Sequence, residues 1–230
     1  LNRDPTSDAQ RILETASDEV RRAVLSWLRG RYPIHPLEGE WRVPAEVILE
    51  AISRSPDLSK RGVRGLIAEA FFDQIVTRGI RGWKKDTPPG NHAYDCLLTS
   101  ESGTVRVQVK TQRRKAGKPM FAAEAMRRLS ANKYVVETQK TRAGKGPDGK
   151  DTRPYRFEEF DILAVNMEPS TNDWTQFRYT LSRWLIPSAK NAETMLKFQP
   201  VSAKPDNDWT DSLETAIGWF LADRNKTIAD

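Results

Sequence analysis

Cysteine is nearly missing from this chain of 230 residues, with Cys96 as its one instance. A lone cysteine forms no intramolecular disulfide and builds no cysteine-ligated zinc site, which suits a reducing compartment. Histidine is almost as scarce, since only His35 and His92 occur, and histidine-rich metal chemistry is not expected. No apolar run approaches the roughly 20 residues that a membrane helix needs, and Leu1 to Pro5 lack the apolar stretch of a signal peptide. A cytoplasmic protein without membrane association is expected. There is no internal repeat and no GxxxxGKS/T phosphate loop, so no nucleotide cofactor is expected either.

What the chain does have is charge. Lys and Arg total 37 against 31 Asp and Glu, a net +6, which favours an anionic partner without identifying it. The length allows one ordinary domain, or a core with a helical appendage.

Apolar residues at Ile12, Leu13, Ala16, Val20, Ala23, Val24, Trp27 and Leu28 form one stripe of an amphipathic helix, which Gly30 is expected to end. Pro33 and Pro36 break the chain, and Pro44 suits the first position of a second helix carrying Val47, Ile48, Ala51 and Ile52. Beyond Pro56, a third helix carries Val63, Leu66, Ile67, Ala70, Phe71 and Ile75. Residues 1–60 thus read as a helical region, scaffold or dimer surface, ahead of a core over 61–230. The period then changes. Residues 83–91 read as a loop, 94–99 and 104–111 as strands about a turn at 100–103, and 122–129 as a helix. Further strands are expected at 134–138, 160–165 and 176–181, the apolar run from Ile162 to Val165 being buried on both faces. A closing helix carries Leu213, Ala216, Ile217, Phe220 and Leu221, capped by Thr210 or Asp211. Helices around a small mixed sheet make an α/β or α+β fold.

The chemistry sits in the first hairpin. Val105, Val107 and Val109 alternate with Arg106, Gln108 and Lys110, and a strand places every second side chain on one face. Arg106, Gln108 and Lys110 therefore share a face. If residues 100–103 make the turn, Thr99 opposes Thr104, and counting outward brings Asp95 opposite Gln108. A slip of one residue would send Asp95 to the other face. A carboxylate, an amide oxygen, the Val109 carbonyl and a lysine on one patch suit metal-assisted phosphodiester hydrolysis. The oxygens are hard donors for Mg²⁺, and the lysine orients water or offsets charge in the transition state.

Tyr94-Asp95, a short hairpin and Gln108-Val109-Lys110 together resemble the PD-(D/E)xK nuclease motif in its QxK form. Gly65-Leu66-Ile67-Ala68-Glu69 resembles the glutamate-bearing helix that often precedes it. The resemblance spans about residues 62–165. Tyrosine stands where the motif has proline, and neutral Gln108 where it has an acid, so metal affinity leans harder on Asp95 and on Glu69, if that residue is a ligand reached from the helix rather than a solvated surface glutamate. It implies a restriction-endonuclease-like core and an Mg²⁺-dependent endonuclease, with Mn²⁺ as a substitute. That enzyme would cut both strands of duplex DNA at a specific site as a homodimer, like type II restriction enzymes. Catalysis would rest on Asp95, Gln108, Lys110 and Glu69, and the metal on Asp95, Gln108, Val109 and Glu69. Two other readings stay open: a structure-specific repair or recombination nuclease resembling junction resolvases, and a DNA-binding protein whose nuclease site has decayed.

Two basic segments are the expected DNA contacts. Arg106, Lys110, Arg113, Arg114, Lys115 and Lys118 run with no acidic residue among them and suit the phosphate backbone. Lys140, Arg142, Lys145, Lys150 and Arg153 lie in a Gly-rich loop that could enter a groove or end as a solvated hairpin, since Asp148 and Asp151 share it. The seven tryptophans are dispersed and read mostly as core rather than as a stacking platform. His92, three residues before Asp95, reads as an incidental loop residue or a phosphate contact.

Overall fold

The computed structural model describes residues 5–77, 79–86, 88, 90, 92–140, 144 and 152–228. Contacts divide the chain into two compact units, Leu1–Lys60 and Arg61–Asp230. Among the described residues, no helix is long and apolar enough to cross a membrane.

The first unit holds α1 (Pro5–Thr15), α2 (Asp18–Arg31), α3 (Pro36–Trp41) and α4 (Ala45–Arg54). The stripe expected to make one helix makes two. Ser17 adopts extended backbone and its hydroxyl accepts from Val20 N at 3.4 Å, an N-cap that starts a new helix, with Asp18 and Glu19 favourably placed in its first turn. Gly30 does not end α2, which runs on to Arg31. Pro36 opens a short helix rather than breaking one: His35 Nδ1 accepts from Leu37 N at 3.1 Å, and Glu38 reaches back to His35 N. Pro44 is the N-cap of α4, one position before the helix proper. None of the residues in these four helices is buried, and Trp27 and Trp41 are exposed, against the expectation of core.

Helix α5 (Asp57–Thr77) leads into the second unit. That unit is built on a five-stranded mixed sheet in the order β1-β2-β3-β7-β8, giving a mixed α/β fold. The strands are β1 (Lys84–Asp86), β2 (Cys96–Ser100), β3 (Gly103–Thr111), β7 (Ile162–Asn166) and β8 (Phe177–Leu181). Neighbours are antiparallel except β3 and β7, which are parallel. β1 lies where a loop was expected, pairing with β2 as an edge. All five residues of β7 are buried, as its unbroken apolar run requires. Two short arms, β4 (Arg114–Lys115) and β5 (Lys118–Pro119), form a hairpin beyond β3.

Val105, Val107 and Val109 enter the main core with Cys96 and Leu98. Helix α5 joins that core through Ala68, Phe72 and Val76, the Phe72 ring meeting Phe177 edge-on at 5.7 Å. A second, smaller core gathers Ala122, Leu129, Val135 and Leu196. It lies by α6 (Ala122–Ala125), shorter than the helix expected there, and by the ribbon of β6 (Tyr134–Glu137) with β11 (Phe198–Val201). The strands after residue 186, β9 (Pro187–Ser188), β10 (Asn191–Met195) and β11, were not foreseen. Helix α7 (Glu168–Thr171) follows β7, and α8 (Leu213–Leu221) closes the unit. The cap of α8 is Ser212 rather than Thr210 or Asp211, its hydroxyl accepting from Thr215 N at 3.1 Å. Trp184 and Trp209 do belong to the core.

Candidate active site

The hairpin register is the one that joins the site. Ser100 pairs with Gly103 and Thr99 with Thr104, and the ladder continues to Cys96 and Val107. Asp95 N still donates to Val107 O at 3.0 Å, but the chain leaves the sheet there. Val109 N is then without a backbone partner on that side, and the Asp95 carboxylate takes the place: Oδ2 accepts from Val109 N at 2.8 Å and from Gln108 Nε2. Gln108 Nε2 also donates to Val109 O at 3.0 Å, and its Oε1 accepts from the Tyr155 hydroxyl at 3.2 Å. Gln108 is only 2% exposed, so its amide depends on these partners. Asp95 itself is exposed, beside an open cavity of about 230 Å³ whose wall includes His92 and Tyr94. The His92 ring stacks on Tyr94 with centroids 5.0 Å apart.

The charges of the site depend on each other. Burial pushes the Glu69 carboxyl up to about 7, the negative charge of Asp95 adds to the rise, and Lys110 opposes it. Although Asp95 as a residue is exposed, its carboxyl packs against β3 on Val109 N and Gln108, and desolvation there raises its pKa, with Lys110 and the Val109 hydrogen bond pulling the other way. Lys110 is lowered by burial, while Asp95, Glu69 and Glu137 favour its charged form. Glu69, Asp95 and Lys110, from α5, the approach to β2 and β3, are therefore brought into one electrostatic cluster. Gly62 and Gly65, which precede Glu69 in α5, are not needed for close approach, because a Cβ at either would meet nothing within 4 Å.

Among the described residues, no three His, Cys, Asp or Glu side chains gather as a metal-holding group. A cation here would need the amide of Gln108 and the Val109 carbonyl beside the carboxylates. That donor set fits a hard divalent ion: the negative charge of Asp95 raises the Glu69 carboxyl, and the polar hydrogens of Gln108 Nε2 occupy the space between Asp95 Oδ2 and Val109 O, where positive charge is favoured. As placed, however, Gln108 turns its nitrogen to Asp95 and its oxygen to Tyr155.

The basic run is less free than its composition suggests. Arg106 is held by Asp161, through Nε to Oδ2 at 3.0 Å and Nη2 to Oδ1 at 2.7 Å, and by the Glu158 carbonyl at 2.7 Å. Arg113 pairs with Glu137 at 3.0 Å and Arg114 with Glu168 at 2.6 Å. Lys115 is 3.6 Å from Glu124 on a largely exposed side chain, and Lys118 is exposed. Lys140 pairs with Glu159 and stands over the Tyr155 ring at 5.5 Å, so it belongs to the surroundings of the site. Arg153 is half-buried, and Arg142, Lys145 and Lys150 lie outside the described residues.

Two neighbours were missed by sequence reasoning. Tyr155 is 4% exposed, and Lys110 Nζ lies 5.4 Å from its ring centroid. Glu137, on β6, acts on Lys110 as well as binding Arg113 and Lys197. Both are reached only through the tertiary fold, and no local pattern around them marks them.

No family model matches the chain, and no curated protein matches it in sequence. Among solved structures, a bacterial homing endonuclease, I-Ssp6803I, is similar to it with a TM-score of 0.37 and 16% sequence identity, over 69% of this chain and 89% of that one.

Proposed function

We propose that this protein is a divalent-metal-dependent DNA endonuclease whose centre is Asp95, Gln108 and Lys110, with Glu69 as a further ligand. The observation that carries the reading is the convergence of a desolvated lysine whose charged form nearby carboxylates favour, two carboxylates with raised pKa values, and an amide and carbonyl hydrogen-bonded beside Asp95. Perturbed titratable groups gathered in this way are characteristic of active sites.

Asp95, Glu69, the Val109 carbonyl and the Gln108 amide oxygen would hold Mg²⁺, or Mn²⁺ in its place. The ion supplies Lewis acidity toward the phosphate and lowers the pKa of an attacking water. Lys110 offers a charged donor beside Asp95, placed to orient that water or to offset negative charge as it builds on the phosphate. Its desolvation strengthens that interaction and lowers its pKa, while the neighbouring acids Asp95, Glu69 and Glu137 favour its charged form. Glu69, raised to about 7, would hold such a cation in its ionised form, as a carboxylate ligand must be deprotonated.

One centre per chain opens one strand, so double-strand cleavage at a specific site calls for a homodimer. The test is incubation of the purified protein with Mg²⁺ and long duplex DNA. Discrete fragments support the site-specific enzyme. Cutting confined to branched DNA replaces it with a structure-specific nuclease, and binding without cutting replaces it with a DNA-binding protein.

A further inference from the structure

Tyr155 lies outside the helices and strands, yet its backbone is fixed on both sides. Pro154 bridges to Gln139 and Arg156 to Thr194, and the Tyr155 carbonyl accepts from Met195 N at 2.9 Å. Its ring meets Phe160 edge-on at 5.3 Å. The side chain is thus delivered rigidly to the polar face of β3, where it touches two residues of the centre at once.

We propose that Tyr155 is a positioning residue of the proposed nuclease centre, its hydroxyl setting the orientation of the Gln108 amide and its ring holding the Lys110 ammonium beside Asp95. This rests on the nuclease reading only for the catalytic consequence. The contacts themselves are the hydroxyl on Gln108 Oε1 at 3.2 Å and the ring 5.4 Å from Lys110 Nζ.

The hydroxyl suits this role because a buried carboxamide needs partners for both ends. With Nε2 donating to Asp95 and Val109 O, Oε1 is left facing Tyr155, and the hydroxyl satisfies it. A phenol also accepts hydrogen bonds, so the same group can serve Nε2 if the amide turns its oxygen toward Asp95 to become a ligand. Phenylalanine there would leave a buried amide atom without a partner in either orientation. Lysine ends in a compact ammonium on a flexible stem. An aromatic face within about 6 Å attracts such a group through the negative face of the ring while leaving its N–H donors free. Lys140 shares the ring but is itself paired with Glu159.

The experiment compares Tyr155→Phe, which keeps the ring, with Tyr155→Leu, which removes it, in the full chain. Two readouts are used. The first needs no activity: hydrogen exchange of the Gln108 side-chain amide, followed by NMR in EDTA. Loss of one neutral hydrogen bond should speed it about fivefold in both variants. The second is steady-state cleavage of duplex DNA. For Tyr155→Phe, kcat should fall about fivefold with KM within about twofold. Tyr155→Leu should lose about a further fivefold in kcat as the ring contact goes, a loss the phenylalanine variant rescues. Unchanged amide exchange overturns the hydroxyl's role, and equal kcat in the two variants overturns the ring's. If the wild type fails to cut DNA while amide exchange responds as expected, the nuclease reading falls and the positioning of Gln108 by Tyr155 stands.

Discussion

Glu69 should weaken the fold wherever it is charged, and replacing it with glutamine should reveal by how much. Its carboxyl is raised from the ordinary 4.5 to about 7, chiefly by burial and then by Asp95. Below pH 4.5 the group is protonated in both the folded and unfolded chain and contributes nothing to the balance. As pH rises, the unfolded chain releases this proton first while the folded chain keeps it, so stability falls until the folded group also ionises near pH 7. A shift of this size corresponds at most to roughly 3 kcal/mol; with the side chain still partly solvated, about 1 to 3 kcal/mol is expected. Urea unfolding of the wild type and of Glu69→Gln in EDTA, at pH 4 and pH 8, reads the difference, since all other titrating groups are shared. The two proteins should match at pH 4, and the glutamine variant should be the more stable at pH 8. Added Mg²⁺ should narrow that gap by favouring the ionised carboxylate. A wild type as stable as the variant at pH 8 without metal would refute the electrostatic cluster.

Three further outcomes follow from particular contacts. Gln108→Glu should retain Mg²⁺-dependent cleavage, because an oxygen ligand keeps its reach. It should also lower the melting temperature in EDTA and recover it on adding Mg²⁺, since the amide donor to Asp95 becomes a second charge; a melting temperature indifferent to metal would contradict this. Asp161→Ala should destabilise the protein by about 1 to 3 kcal/mol in urea titrations, because Arg106 loses its ion pair and its backbone N–H loses a 2.7 Å acceptor. Neutralising Arg113 and Arg114 together should flatten the salt dependence of duplex binding by less than one unit of slope, as both are already paired with glutamates; a loss of about two units would make each a phosphate contact.

Much of the second unit was legible because its signals are local. The alternating valines of β3 and the four-residue turn set the pairing of Thr99 with Thr104, and that pairing alone carries Asp95 to Gln108. The apolar run of β7 announced burial on both faces. Charge was misleading, because a basic run shows nothing of partners far along the chain: Asp161 for Arg106, Glu168 for Arg114. Tyr155 escaped notice for the same reason, being 47 residues from the glutamine it binds. In the first unit, the apolar stripe keeps its phase across the break at Ser17, so periodicity alone could not divide α1 from α2. The hydroxyl cap that does so is one serine among many. β1, β9 and the arms β4 and β5 are too short for an alternation pattern to register.

The proposed nuclease reading assigns the metal-dependent cut in DNA to Asp95 and Lys110. It is tested most directly by single-turnover cleavage of duplex DNA in Mg²⁺ by the wild type, Asp95→Ala and Lys110→Ala, with duplex affinity measured for each in Ca²⁺. The wild type should cleave, either variant should lose at least about a hundredfold in rate, and the affinities should lie within a few-fold of one another. Cleavage at near wild-type rate by either variant would contradict that reading.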